Sequence, residues 1–236
     1  MRLDKYVSNA LQITRNDAKK LIQKKEISVF LNGELKIVNS SFDVKEEKVI
    51  YQNKELIYKE YIYLMMNKPK GFICANFDKN NKTVYDLITG YKTNELSIIG
   101  RLDIDTEGLI IITNDGDLVH KITSPKNEHV KRYYCLCEND LKESDIKAFS
   151  NGIVINNDGE LYKCRSANLI INNVKECIIE IKEGKFHQIK KMMHAISNNV
   201  LYLKRISIAN IILDDNLKLG EYRELTEEEV IKLKNC

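Results

Sequence analysis

The chain has 236 residues, 43% of them hydrophobic and 30% charged, with a formal net charge of +3. That is the composition of an ordinary globular protein with room for one small module and one larger domain. No run of about 18 apolar residues is present to span a membrane, and Met1-Arg2-Leu3-Asp4-Lys5 lacks the apolar core of a signal peptide, so a cytoplasmic protein is expected.

Residues 1–26 carry seven Lys or Arg against three Asp or Glu. Thr14-Arg15-Asn16-Asp17 has the residues of a capping box and predicts a helix with Ala18, Leu21 and Ile22 buried and Lys19, Lys20 and Lys24 around the rest. Asn32-Gly33 between the apolar runs 29–31 and 35–37 predicts a tight hairpin. The polar stretch Gln52 to Glu60 reads as a connection, which puts the boundary of a two-helix, small-sheet module at 58/59.

Strand signals dominate from Tyr61 onward. Tyr61 to Met66 leads into a basic hairpin turn, Asn67-Lys68-Pro69-Lys70-Gly71, with Phe72-Ile73-Cys74 leading out. Leu109 to Ile112 predicts a buried strand, and 133–137, 169–171 and 177–181 predict others. Helices are predicted near 141–149, 187–197 and 226–234. Strands outnumber helices without regular alternation, which gives an α+β class on a largely antiparallel sheet.

The densest polar segment is Gly100-Arg101-Leu102-Asp103-Ile104-Asp105-Thr106-Glu107-Gly108. Three acids at alternate positions share one side of an extended chain and need a cation, a proton or solvent. Asp103-x-Asp105-x-Glu107-Gly108 begins like a calcium loop, but Asn114 stands where the bidentate Glu belongs. Arg101 offers a cation that would keep Asp103 ionised as a base or nucleophile; a solvated acidic loop is the plainer reading. Around His187 a helix would bury Ile189, Met192 and Met193 and present His187, Lys190, Lys191 and His194. That face either grips phosphates or is simply solvated. Tyr133 reads as packing or as a site residue. No phosphate loop, zinc spacing or CxxC pair occurs; the six cysteines read as reduced thiols, so neither a metal nor a cofactor is expected.

Taken in order, these motifs resemble a known family. Residues 2–33 resemble an S4 RNA-binding domain, and the remainder resembles the RsuA branch of pseudouridine synthases. The resemblance rests on Asn67 to Gly71, Thr83-Val84-Tyr85-Asp86-Leu87, Gly100 to Gly116, His120 to Lys126, Lys131-x-Tyr133, Glu183 to Met192 and Gly220 to Thr226. It implies isomerisation of one uridine in 16S rRNA, free or in a small-subunit assembly intermediate, by a monomer without metal, cofactor or membrane. Asp103 matches the catalytic aspartate, Tyr133 the active-site tyrosine that acts as a base or stacks on the target, and Lys190 the basic partner of the aspartate. Arg2, Lys5, Arg15, Lys19, Lys20, Lys68, Arg101, His187, Gln188 and Lys191 are the expected RNA contacts. The neighbouring branch acting on 23S rRNA and a non-catalytic RNA-binding protein in ribosome assembly remain as alternatives. The sequence departs from the family at Ser207 and at Ala209-Asn210, where relatives commonly have Arg and a Gly-Gly pair.

Overall fold

A computed structural model describes residues 1–157 and 159–236. The chain divides into two compact units. Unit one is Met1–Ile62 with Ile88–Glu95, and unit two is Tyr63–Leu87 with Leu96–Cys236.

Unit one packs helices α1 (Leu3–Ala10) and α2 (Arg15–Gln23) on a sheet of β1 (Ile27–Leu31), β2 (Glu34–Lys36), β3 (Val49–Tyr51) and β4 (Lys54–Leu56), in the order β2-β1-β3-β4. The Thr14 hydroxyl accepts from the Asp17 N–H and caps α2 as predicted, with Ala18 and Ile22 buried and Leu21 partly buried. Asn32 and Gly33 take φ of 53° and 86° in the predicted hairpin. The stretch after Gln52 is not a plain connection: Gln52 (φ 49°) and Asn53 (φ 61°) turn β3 into β4, making a second hairpin without the glycine signature. The segment 88–95, far along the chain, belongs to this unit because Lys92 Nζ donates to Ser8 Oγ (2.8 Å). No local signal marks a tertiary contact of that kind.

Among the described residues unit two has a nine-stranded sheet and a separate hairpin: β5 (Tyr63–Lys68), β6 (Ser97–Ile99), β7 (Glu107–Thr113) and β8 (Lys131–Cys137), the hairpin of β9 (Val154–Asn157) and β10 (Glu160–Lys163), then β11 (Asn168–Asn173), β12 (Glu176–Ile181), β13 (Val200–Ile208), β14 (Ile211–Ile212) and β15 (Tyr222–Glu224). The main sheet runs β11-β12-β8-β13-β7-β5-β15, with β6 also pairing to β7 and β14 to β13. Only the β13–β7 pair is parallel among these, so the sheet is mixed and largely antiparallel. β7 is buried throughout, as its unbroken apolar run requires. Among the described residues four α-helices accompany it: α3 (Gly116–Thr123), α4 (Glu143–Asn151), α5 (Gln188–Ala195) and α6 (Glu227–Lys234). α3 is not among the helices expected from the sequence; its Asp115 carboxylate accepts from the Leu118 N–H, and Leu118 and Ile122 are buried. Residues 72–74, expected as a returning strand, make only an isolated bridge from Ile73 to Thr83. Among the described residues no helix is long and apolar enough to cross a membrane.

β13 bends sharply beyond Ile208. Ala209 sits at φ 52°, a left-handed conformation that costs a non-glycine residue about 1 kcal/mol or more. This explains, in physical terms, why glycine suits the position. Ala209→Gly is expected to stabilise the protein by about 1 kcal/mol in urea unfolding; an unchanged or lower midpoint would contradict that strain.

Candidate active site

The segment 100–106 joins β6 to β7, and its backbone is held by two buried cations. Lys68, wholly buried at the end of β5, donates from Nζ to the carbonyls of Asp103 (2.9 Å), Thr106 (2.8 Å) and Pro69 (3.2 Å). Arg205, 1% exposed on β13, donates from Nε to Leu109 O (2.8 Å) and from Nη2 to Gly100 O (2.6 Å). The Gly71 N–H adds a bond to Ile104 O (2.7 Å) and the Thr106 N–H one to Asp103 O (3.1 Å). Gly108 (φ 103°) lets β7 lie against β13 here, because a Cβ there would come within 2.2 Å of Arg205 O.

Thus anchored, Asp103 turns its carboxylate into a cleft of about 80 Å³ that also holds Tyr133, His187 and Lys190. Asp103 Oδ2 lies 3.3 Å from Lys190 Nζ and 3.7 Å from His187 Nε2. Tyr133, 7% exposed, enters from β8, where the ladder to β13 slips between Arg205 and Ser207. Lys190 comes from α5 and also bonds Asp105 Oδ1 at 2.5 Å. Burial pushes the Asp105 carboxyl up, but the hydrogen bond and charge of Lys190 outweigh it and hold the group below its usual range. The three residues expected to be catalytic therefore share one cleft, although 30 and 57 positions separate them in sequence.

The three acids of this segment do not act as one cluster. Asp103 and Asp105 share Lys190, whereas Glu107 is buried at the start of β7 and accepts from the Tyr202 hydroxyl (2.7 Å). The turn at 104–105 breaks the extended alternation expected to put the three acids on one side of the chain.

Two expected RNA contacts are corrected. Lys68 faces backbone carbonyls in the interior, since the strand β5 continues through it and carries it inward. Gln188, 4% exposed, donates to Glu183 Oε1 (2.6 Å) and accepts from the Lys185 N–H (2.9 Å), bracing the segment before α5. Glu183 is itself buried and also accepts from the Tyr162 hydroxyl (2.7 Å) and the Arg165 N–H (3.0 Å). Arg101 is exposed beside the cleft, and the cation on Asp103 is Lys190 rather than Arg101. His187, partly buried at φ 52°, stacks on the exposed Phe186 ring at 3.8 Å, and Lys191 reaches Asn157 Oδ1 (3.3 Å) and lies over Phe186. In unit one Arg2, Arg15 and Lys19 converge on the buried Asp4 carboxylate at 3.1, 3.0 and 4.0 Å while remaining about half exposed. Burial raises the Asp4 pKa, but Arg2 and Arg15 outweigh it and hold the carboxyl below its ordinary range. Lys20 pairs with Asp17, and Lys5 is exposed.

Sequence reasoning missed Arg205. Its signal was the alternation Leu203, Arg205, Ser207 on the buried side of a strand, where a charge requires internal partners. It also missed a second cavity of about 390 Å³ next to the first, lined by Arg101, Lys131, Tyr133, Lys182, Glu183 and Arg205. Within it burial, aided by the Arg205 charge, lowers the Lys131 pKa to about 8.

Lys68→Met leaves the carbonyls of Asp103 and Thr106 without their buried donor. A loss of about 2–4 kcal/mol in chemical unfolding is expected; a loss under 1 kcal/mol would refute the clamp. Lys131 loses its proton at lower pH in the folded chain than in the unfolded one, where lysine titrates near 10.4. Stability should therefore rise, relative to Lys131→Met, as pH goes from about 8 to about 10. Parallel stability curves for the two proteins across that window would remove the buried charge from the account.

The chain is similar to known proteins over nearly its whole length. Residues 62–195 match the family model described as RNA pseudouridylate synthase. The chain is 37% identical over 231 residues, 98% of each chain, to the ribosomal small subunit pseudouridine synthase A of Vibrio vulnificus. It is 39% identical to an RNA pseudouridine synthase of Bacillus subtilis, covering 98% of this chain and 97% of the other. A solved pseudouridylate synthase aligns over 99% of both chains with a TM-score of 0.69 and 34% identity. The chain belongs to the RNA pseudouridylate synthase family, in its RsuA-type branch.

Proposed function

We propose that this enzyme isomerises one uridine of 16S rRNA, with Asp103 as the essential carboxylate. The observation that carries the reading is the pairing of Asp103 with Lys190 at 3.3 Å beside the Tyr133 ring. The small-subunit substrate is supported by relatives, in Vibrio vulnificus and Haemophilus influenzae, that bear that name over almost their whole length.

Pseudouridine formation breaks the bond from ribose C1′ to N1, turns the uracil and rejoins it through C5. No group is gained, lost or oxidised, so a carboxylate, a cation and a shaped cleft suffice for the chemistry. Asp103 either attacks C1′ or removes a ribose proton, and both routes require it ionised. Lys190 supplies the adjacent positive charge, 3.3 Å from the carboxylate. Extruding the target from its stack costs a few kcal/mol. Stacking on Tyr133 would offset part of that cost. Arg101, Lys182, Lys185 and His187 line the two cavities, where phosphates would approach. The exposed basic residues of unit one, Arg2, Lys5, Arg15, Lys19 and Lys20, provide further phosphate contacts.

The test maps pseudouridine by carbodiimide labelling and reverse transcription in rRNA from cells without the gene, restored with the wild type or with Asp103→Asn. One stop in 16S rRNA should vanish, return with the wild type, and stay absent with the variant. A stop in 23S rRNA would move the substrate to the other subunit, and turnover by Asp103→Asn would end the assignment of the carboxylate.

A further inference from the structure

One side-chain cluster outside the cleft has a chemistry that uridine isomerisation leaves unused. Cys135 and Cys137 alternate along β8 and so leave the same side of the sheet, and Cys177 of β12 stands directly opposite Cys135 in the antiparallel ladder. All three are fully buried free thiols. The three sulfur atoms lie within 4.8 Å of one another, with Cys135 Sγ and Cys137 Sγ 3.7 Å apart.

Burial alone is what a cysteine does as a small apolar residue. The spacing says more. Alternate residues of a strand are roughly 6.5 Å apart along the backbone, so sulfurs at 3.7 Å lean towards a common point. Thiolates about 2.3 Å from a metal ion stand about 3.8 Å apart around a tetrahedral centre and about 4.0 Å apart around a trigonal one. The cluster is therefore within a small adjustment of a three-sulfur coordination shell.

We propose that Cys135, Cys137 and Cys177 form a trigonal site for a soft thiophilic cation, with Cu(I) as its occupant. Sulfur donors select soft ions. Among the described residues no His, Asp or Glu completes this group, and a structural zinc site requires a fourth ligand. Cys137 ends β8 and Cys177 is the second residue of β12, so the site lies where these strands finish, next to the exposed residues Val174 and Lys175. That end of the sheet is the route by which an ion reaches it. A bound ion ties β8 to β12 two residues from Tyr133, on the same side of the strand. Cys177 is 40 positions from Cys137, so no metal spacing was visible in the sequence, and the expectation of no metal rested on that.

The test is an anaerobic titration of the reduced full-length protein with Cu(I) supplied as its acetonitrile complex. It reads the ultraviolet thiolate-to-copper absorbance and the unfolding temperature. Saturation at one ion per chain is expected, with a rise of roughly 5–10 °C at a large excess of free ion over Kd. Both signals should vanish in Cys135→Ala and in Cys177→Ala and persist in Cys74→Ala and Cys236→Ala. Each single replacement keeps a small apolar side chain, and circular dichroism of the unloaded variants verifies that they fold. Absence of saturable binding, or binding that survives Cys177→Ala, overturns the site. A one-to-one complex with Zn(II) that Cu(I) does not displace overturns the choice of ion and of trigonal geometry.

Discussion

The arrangement of the cleft depends on two buried cations that have backbone carbonyls, rather than carboxylates, as their hydrogen-bond partners. Lys68 and Arg205 reach the segment 100–109 from β5 and β13 and bind the carbonyls of Gly100, Asp103, Thr106 and Leu109 between them. Burying an ammonium or guanidinium without an acid is costly, and burial does push the Lys68 pKa down. Several charge-assisted hydrogen bonds, each about 1.5–3 kcal/mol, offset that cost. The result is a loop without regular secondary structure whose position is nevertheless determined by the central strands of the sheet.

This clamp has an electrostatic consequence as well as a geometric one. Two interior positive charges sit behind the loop that presents Asp103, while Lys190 meets the carboxylate from the front. The side chain of Asp103 stays free for the cleft because its backbone carbonyl, not its carboxylate, serves as the anchor. On the opposite wall, Glu183 and Gln188 satisfy one another and fix the chain before α5, which places His187 and Lys190. Buried polar residues thus align both sides of the cleft. The exposed basic residues around it remain available to a polyanion.

The buried clusters of the rest of the protein serve these elements. The core beneath β5, β6 and β7 combines Tyr63, Met65, Ile99, Leu109 and Ile111 with Leu118 and Ile122 of α3 and Leu233 of α6. Its close packing helps to fix the strands that carry Lys68, Gly108 and Arg205. In unit one, Asp4 plays a comparable part: a buried carboxylate gathers Arg2, Arg15 and Lys19 and orients the basic surface.

Local chemistry determined much of this protein by itself. The Thr14 cap, the Asn32-Gly33 hairpin, the apolar run of β7 and the amphipathic face of α5 follow from hydrogen bonding, backbone freedom and burial within a few residues, and all were legible. The polar density at 100–108 marked Asp103, and the ordered motifs marked Tyr133 and Lys190. Tertiary structure alone decided that Lys68 and Gln188 point inward, that Arg205 locks the loop, that residues 88–95 belong to unit one, and that three distant cysteines converge. A charged residue near a turn has the same local signature whether it meets solvent or a carbonyl from another strand. Which of these it meets depends on the sheet order β8-β13-β7-β5. That order pairs segments up to about 100 residues apart, and no sequence window spans it.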